Sequence, residues 1–199
     1  MSIGKRLSDY LTVGESDAIL RTCNRKTAKG RRNFAIIKTL LSTGLRQGEL
    51  IKLNRGDFKF EKGFLKLFVK GKGGYERYAF VRDPDVWNCL VTYWSGLRLV
   101  ATPVSPAFLT LARRGGIAQR RISKIAIIGI VRRAASLAGI DKHVRPHILR
   151  HTFLTRHLQS GTDIRTVQAL AGHKSLASTM HYLHTDEERI KAAVSKVTF

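Results

Sequence analysis

Three runs decide the fold: Phe58-Lys59-Phe60, Phe64-Leu65-Lys66-Leu67-Phe68-Val69 and Tyr75-Glu76-Arg77-Tyr78-Ala79-Phe80-Val81. Each is rich in aromatic and branched residues, and Gly-containing gaps separate them, the pattern of neighbouring strands joined by turns. The second gap, Gly71-Lys72-Gly73-Gly74, reads as a basic hairpin tip. The stretch therefore predicts a small antiparallel sheet of about three strands.

Helical spacing surrounds this sheet on both sides. Upstream, Thr12 and Glu15 have capping-box spacing, which predicts a short helix from near Val13. Residues 21–32 hold six positive charges and read as a solvated loop. Residues 34–41 are helical by composition and stop at Gly44, and 47–53 form a further helical segment before Asn54-Arg55-Gly56. Downstream, 83–100 resume helical spacing, and 101–107, with Pro103 and Pro106, form a loop. Residues 122–138 place Ile122, Ile125, Ile128, Ile130, Val131, Ala134 and Ala138 largely on one face of a helix that ends at Gly139. Pro146 suits a first helical position and predicts a helix over 147–159 that closes at Gly161. Segments 163–171, 175–183 and 186–197 complete a helical C-terminal half, the last with Asp186, Glu187 and Glu188 at its N-terminal end, as the helix dipole prefers. The predicted fold class is α+β: one mainly helical domain over 11–199 with a single small antiparallel sheet, preceded by a basic arm over 1–10.

Composition narrows the function. The 199 residues are enough for one domain with a real core, or at most two small ones. Thirty-six Lys+Arg stand against 14 Asp+Glu, a net charge of +22 and a pI of about 10.9. A field of that sign favours a polyanionic partner. The two cysteines, Cys23 and Cys89, make neither a disulfide framework nor a thiolate metal cage. The longest apolar run, 125–131, falls far short of the roughly 20 residues that span a bilayer. No apolar segment follows the first basic residues, so no secretory leader is expected. The expectation is a soluble, intracellular protein that faces nucleic acid and not a membrane.

Six residues carry the candidate chemistry. Arg46 lies in Thr43-Gly44-Leu45-Arg46-Gln47-Gly48-Glu49-Leu50, and Lys72 lies in Gly71-Lys72-Gly73, followed by Glu76-Arg77. His147 and Arg150 lie in Pro146-His147-Ile148-Leu149-Arg150-His151-Thr152-Phe153, one helical turn apart. His173 follows in Leu170-Ala171-Gly172-His173-Lys174-Ser175, and Tyr182 three residues after Thr179. Each alone has an ordinary reading: a solvated arginine, an exposed lysine, a helix-end histidine, a half-buried tyrosine. In this order, with this local wording, they resemble the active site of the tyrosine recombinase (phage integrase) family, whose pattern is Arg, Lys, His-x-x-Arg, His, Tyr. The resemblance runs from about residue 11 to residue 197, nearly the whole chain.

The resemblance implies site-specific DNA strand cleavage and rejoining through a 3′-phosphotyrosyl intermediate, with no metal, cofactor or ATP. Tyr182 would be the nucleophile. Arg46, Arg150 and His173 would hold the phosphate oxygens, His147 would accept a proton, and Lys72 would protonate the leaving 5′-oxygen. Glu49, one turn beyond Arg46, either orients neighbouring donors or is a surface carboxylate on a basic protein. The implied partners are double-stranded DNA and three further copies of the chain in a homotetramer on paired sites, with accessory DNA-bending proteins. The implied location is the cytoplasm, at the nucleoid. The family's additional N-terminal helical domain has no counterpart in the sequence, which fits a minimal recombinase or a chain limited to the catalytic domain.

Two basic clusters are candidate phosphate contacts, which position DNA without specifying its sequence. The first holds Arg25, Lys26, Lys29, Arg31 and Arg32; the second holds Arg113, Arg114, Arg120, Arg121 and Lys124. Three rival readings share some of these features. A type IB topoisomerase uses similar chemistry but reseals the same strand. A non-catalytic DNA-binding regulator would sit on a decayed version of the scaffold, although all six chemical positions are intact here. A metal-dependent nuclease would need clustered carboxylates, and the close groupings (Asp83 with Asp85; 186–188) fall where helix N-termini are expected.

Overall fold

Thr12 and Glu15 close a reciprocal capping box: the Thr12 hydroxyl accepts from the Glu15 N–H, and the Glu15 carboxylate accepts from the Thr12 N–H. That cap starts α1 (Val13–Arg21), the first element of the computed structural model. The structure describes residues 10–71, 74–97, 101–111, 117–172, 191, 194, 195 and 197. Residues 1–9 of the predicted arm over 1–10, residues 72–73 of the hairpin tip over 71–74, the helix expected over 175–183 and most of that expected over 186–197 lie outside the described residues.

Helix α2 (Ala28–Thr43) is the central element of the core. Its residues from Ala35 to Thr43 are all buried, and α1, α4, α6 and β3 pack around it. The loop expected over 21–32 is thus confined to 22–27. Thr27 accepts from the Gly30 N–H and nucleates α2 within the basic run. Gly44 ends the helix with φ +60°, a left-handed conformation that glycine adopts without strain. Helix α3 (Gln47–Lys52) follows after two residues.

The three predicted strands are present as β1 (Phe58–Glu61), β2 (Phe64–Lys70) and β3 (Glu76–Val81), antiparallel in the order β1-β2-β3. In register, Leu65 faces Val81, Leu67 faces Ala79 and Val69 faces Arg77. Leu65, Leu67 and Val69 are fully buried, so this face turns inward. Arg77 shares it and is itself buried, 8% exposed.

Helix α4 (Pro84–Ser95) begins at an Asp83 N-cap and stops at Gly96, short of the expected residue 100. A second, two-stranded ribbon then corrects the expectation of a single sheet: β4 (Leu109–Leu111) pairs with β5 (Ile117–Arg121). Ser123 caps α5 (Lys124–Leu137), which buries Ile127, Ile130, Val131, Ala134 and Ala135. Ile125, expected on that face, is 82% exposed, because at 3.6 residues per turn it lies nearly opposite Ile127 around the helix. Helix α6 (Pro146–Gln159) has Pro146 in its first turn, and α7 (Ile164–Ala171) is capped by the Asp163 carboxylate.

Most of the core is one apolar cluster built from α1 to α5 and the sheet. A second, smaller cluster joins Phe80, Phe153, Leu170 and Val194, seating α6 and α7 against β3. No helix of the described residues is long and apolar enough to cross a membrane.

Candidate active site

Arg46 occupies the N-cap of α3 with extended backbone geometry. Glu49, at the third helical position, folds back so that one carboxylate oxygen accepts from the Arg46 N–H at 2.8 Å. The other oxygen accepts from Arg46 Nη1 at 3.1 Å. Glu49 is 6% exposed, a buried carboxylate and not a surface one.

Arg150 reaches the same place from α6. Its Nη1 donates to the Gly44 carbonyl at 2.5 Å and its Nη2 to the Ala171 carbonyl at 2.6 Å. The planar guanidinium thus bridges the ends of α2 and α7, both of which stop at glycines with φ +60°. Arg46 Nη1 also donates to the Gly172 carbonyl at 3.1 Å. The backbone at these two helix ends supplies the carbonyl oxygens that hold the two forks, and Gly172 alone separates α7 from His173 in the sequence.

Electrostatically the pocket is strongly cationic. Burial, followed by the neighbouring Arg46 charge, pulls the Arg150 guanidinium down to about 10, still well above neutrality. Arg77 is lowered for the same reasons, burial first, with Glu49 opposing. Arginine side chains stay protonated in proteins, so both guanidiniums carry their charge.

His147 is exposed on the first turn of α6, three residues before Arg150, with the His151 ring centroid 6.1 Å away. The structure therefore gathers Arg46, Glu49 and Arg150 into one pocket and puts His147 on the helix that delivers Arg150. Lys72, His173 and Tyr182 lie outside the described residues, although Gly71 and Gly172 directly precede two of them. Among the described residues, no cluster of His, Cys, Asp or Glu has the makings of a metal site.

Sequence reasoning missed Arg77. Its Nη2 donates to the same Glu49 oxygen that the Arg46 N–H uses, at 3.1 Å. Leu65, Leu67 and Val69 alternate inward, and the β2–β3 register that pairs Val69 with Arg77 turns that arginine inward too.

The basic clusters divide between surface and scaffold. Arg25, Lys26, Lys29, Arg120 and Lys124 are exposed. Arg31 is half-buried, its guanidinium turned back onto the Arg25 and Lys26 carbonyls. Arg32 and Arg121 are corrections. Arg32 is 6% exposed and donates to the Leu109 carbonyl and Asn33, tying α2 to β4. Arg121 donates to the carbonyls of Ile51 and Leu53 and to Asn54 Oδ1, holding the exit of α3 against β5. Neither guanidinium is presented to a phosphate. Arg113 and Arg114 lie outside the described residues.

This convergence of arginines on the ends of α2 and α7, in a mainly helical domain with a small antiparallel sheet, defines a class, and the sequence profile of the phage integrase family matches residues 9–189. The chain belongs to that family. It is 33% identical over 190 residues to tyrosine recombinase XerD of Staphylococcus saprophyticus, covering 94% of this chain and 61% of that one. It is 34% identical over 192 residues to tyrosine recombinase XerC of Pelobacter propionicus, covering 96% of this chain and 60% of the relative. The crystal structure of XerH recombinase in a post-cleavage complex with a palindromic difH substrate superposes with a TM-score of 0.70 at 26% identity, over 98% of this chain and 55% of that one. The chain thus spans about three fifths of the length of the curated relatives it matches.

Proposed function

We propose that the chain is the catalytic domain, over residues 11–199, of a site-specific DNA recombinase that exchanges strands through a covalent tyrosyl intermediate. The observation that carries the reading is the convergence of Arg46 and Arg150 on one pair of helix ends, in a family whose named relatives are recombinases.

The Tyr182 hydroxyl attacks a DNA phosphodiester. A phosphotyrosyl bond forms at the 3′ side, the bond to the 5′-oxygen breaks, and that oxygen takes a proton as it leaves. A 5′-hydroxyl from a second strand then attacks the phosphotyrosine and restores the phenol. One ester replaces another, so the exchange needs no ATP.

The five-coordinate transition state gathers negative charge on its equatorial oxygens, and prepositioned donors stabilise it most where water is excluded. Arg46 and Arg150 supply planar, permanently charged forks, a geometry lysine does not copy. Their ground-state bonds to backbone carbonyls and to Glu49 hold them in place before substrate arrives. His173 adds a donor to a non-bridging oxygen. A phenol of ordinary pKa near 10 is mostly neutral at pH 7, and His147 accepts its proton. Lys72 delivers the proton to the departing 5′-oxygen.

Double-stranded DNA is the partner, held through its phosphates by the exposed cations Arg25, Lys26, Lys29, Arg120 and Lys124. Four copies acting on two paired sites, with DNA-bending accessory proteins, complete the exchange, in the cytoplasm at the nucleoid. The test is a suicide DNA substrate whose cleavage releases a short fragment and strands the enzyme on its target. A protein–DNA adduct resistant to denaturant, formed in EDTA and lost in Tyr182→Phe, supports the reading. Cleavage without an adduct, or dependence on a divalent cation, overturns it.

A further inference from the structure

Arg77 is a buried guanidinium beside the candidate active site, and the reaction outlined above gives it no task. It projects inward from β3 opposite Val69, 8% exposed, and donates to Glu49 Oε2 at 3.1 Å. A Cβ placed on Gly172 would stand 2.5 Å from Arg77 Nε, so the guanidinium lies against the same turn that accepts from Arg46. The Glu49 carboxylate therefore receives three donors: the Arg46 N–H and Arg77 Nη2 on one oxygen, and Arg46 Nη1 on the other.

The charge balance has a consequence for the reaction. A buried carboxylate facing Arg46 alone would form a neutral pair with it, and the attraction of Arg46 for a phosphate would fall accordingly. With Arg77 also donating to it, Glu49 is compensated by a second guanidinium, one that is itself buried. Arg46 and Arg77 then share one carboxylate, with the Arg150 charge close enough to feel it, so a single negative charge stands against three positive ones. Arg77 also comes directly from the strand that follows the Gly71–Tyr75 turn, whose ends are joined by the Gly71 N–H to the Tyr75 carbonyl at 2.6 Å.

We propose that Arg77 is a positioning residue that acts through Glu49: it neutralises the carboxylate that orients Arg46, so that Arg46 is fixed without being electrostatically spent. The proposal rests on the strand-transfer reading and adds to it a residue that touches no substrate.

A double-mutant cycle tests it, with single-turnover adduct formation on the suicide substrate as the rate and DNA affinity measured separately. In the wild-type background, Arg77→Met is expected to slow adduct formation about 30-fold while affinity changes by no more than about threefold. In the Glu49→Gln background the same substitution is expected to cost less than about fivefold, because no carboxylate remains to be neutralised. Arg77→Lys, which keeps the charge, is expected to retain most of the wild-type rate. An equal cost of Arg77→Met in both backgrounds overturns the proposal, since a packing role is indifferent to the Glu49 charge. So does an Arg77→Lys protein that melts like wild type yet is as slow as Arg77→Met. Should Arg77→Met fail to fold, the Arg77→Lys rate and the comparison of the double variant with Glu49→Gln alone decide the question. Absence of an adduct with the wild-type protein would instead count against the strand-transfer reading itself.

Discussion

Arg150 Nη1 lies 2.5 Å from the carbonyl oxygen of Gly44, joining residues 106 positions apart in the chain. Gly44 also ends α2 in a left-handed conformation, and the Phe153 ring occupies the space that a Cβ would need there. One glycine thus stops a core helix, admits a ring from α6 and anchors an arginine of the pocket. Gly44→Ala should therefore lower the unfolding free energy by about 2–4 kcal/mol, from backbone strain plus overpacking. Urea denaturation of the two proteins measures this, and a loss below about 0.5 kcal/mol would contradict it.

The division of basic residues between surface and scaffold predicts two different phenotypes. Lys26→Ala and Lys29→Ala should leave the melting temperature unchanged and each reduce the slope of log K against log salt by about 0.9. Arg32→Ala should leave the salt slope unchanged but destabilise the fold by about 1–3 kcal/mol, because the buried Leu109 carbonyl loses a charged donor. Salt titrations of DNA binding beside thermal melts separate the two classes. An Arg32 variant of normal stability with a shallower salt slope would reverse the assignment.

His157 on α6 is fully buried, with the Phe153 ring centroid 4.4 Å away at 65°. Burial pulls its imidazole down to about 4 from an ordinary value of 6.5. The unfolded chain therefore binds this proton before the folded one does. The stability this group contributes is complete above pH 6.5 and falls as pH drops toward 4, by roughly 3 kcal/mol in all. His157→Phe should flatten the dependence of unfolding free energy on pH between 6.5 and 4. Parallel profiles for the two proteins would contradict the burial argument.

Much of the fold was legible because its signals are local. The three strands announce themselves by alternating apolar residues and glycine-bearing gaps, and Thr12, Asp163 and Pro146 mark helix starts by capping chemistry alone. The β4–β5 ribbon was not legible: β4 is three residues long, and β5 includes Gln119, Arg120 and Arg121, so its stability comes from pairing across the chain and not from its own pattern. The start of α2 was hidden because its first turn contains no acidic residue, only a Thr27 cap inside a basic run. Charge counting located the basic clusters but not the direction of each side chain, which is why Arg32 and Arg121 looked like Lys26 and Lys29. At the site, spacing and wording picked out Arg46, Glu49 and Arg150. Arg77 escaped because its role depends on strand register, a property of the pair β2 and β3 that neither run displays alone.

In the proposed reaction the Tyr182 oxygen becomes bonded to DNA phosphorus while Arg46 and Arg150 hold the charge that builds on the phosphate. The most direct measurement is to trap the adduct on a suicide substrate, digest the protein and nucleic acid, and map the residual nucleotide mass by tandem mass spectrometry. The expected result is a phosphonucleotide on the peptide that contains Tyr182 and none on the same peptide from Tyr182→Phe. A remnant on any other side chain, or an adduct that survives in Tyr182→Phe, would contradict it.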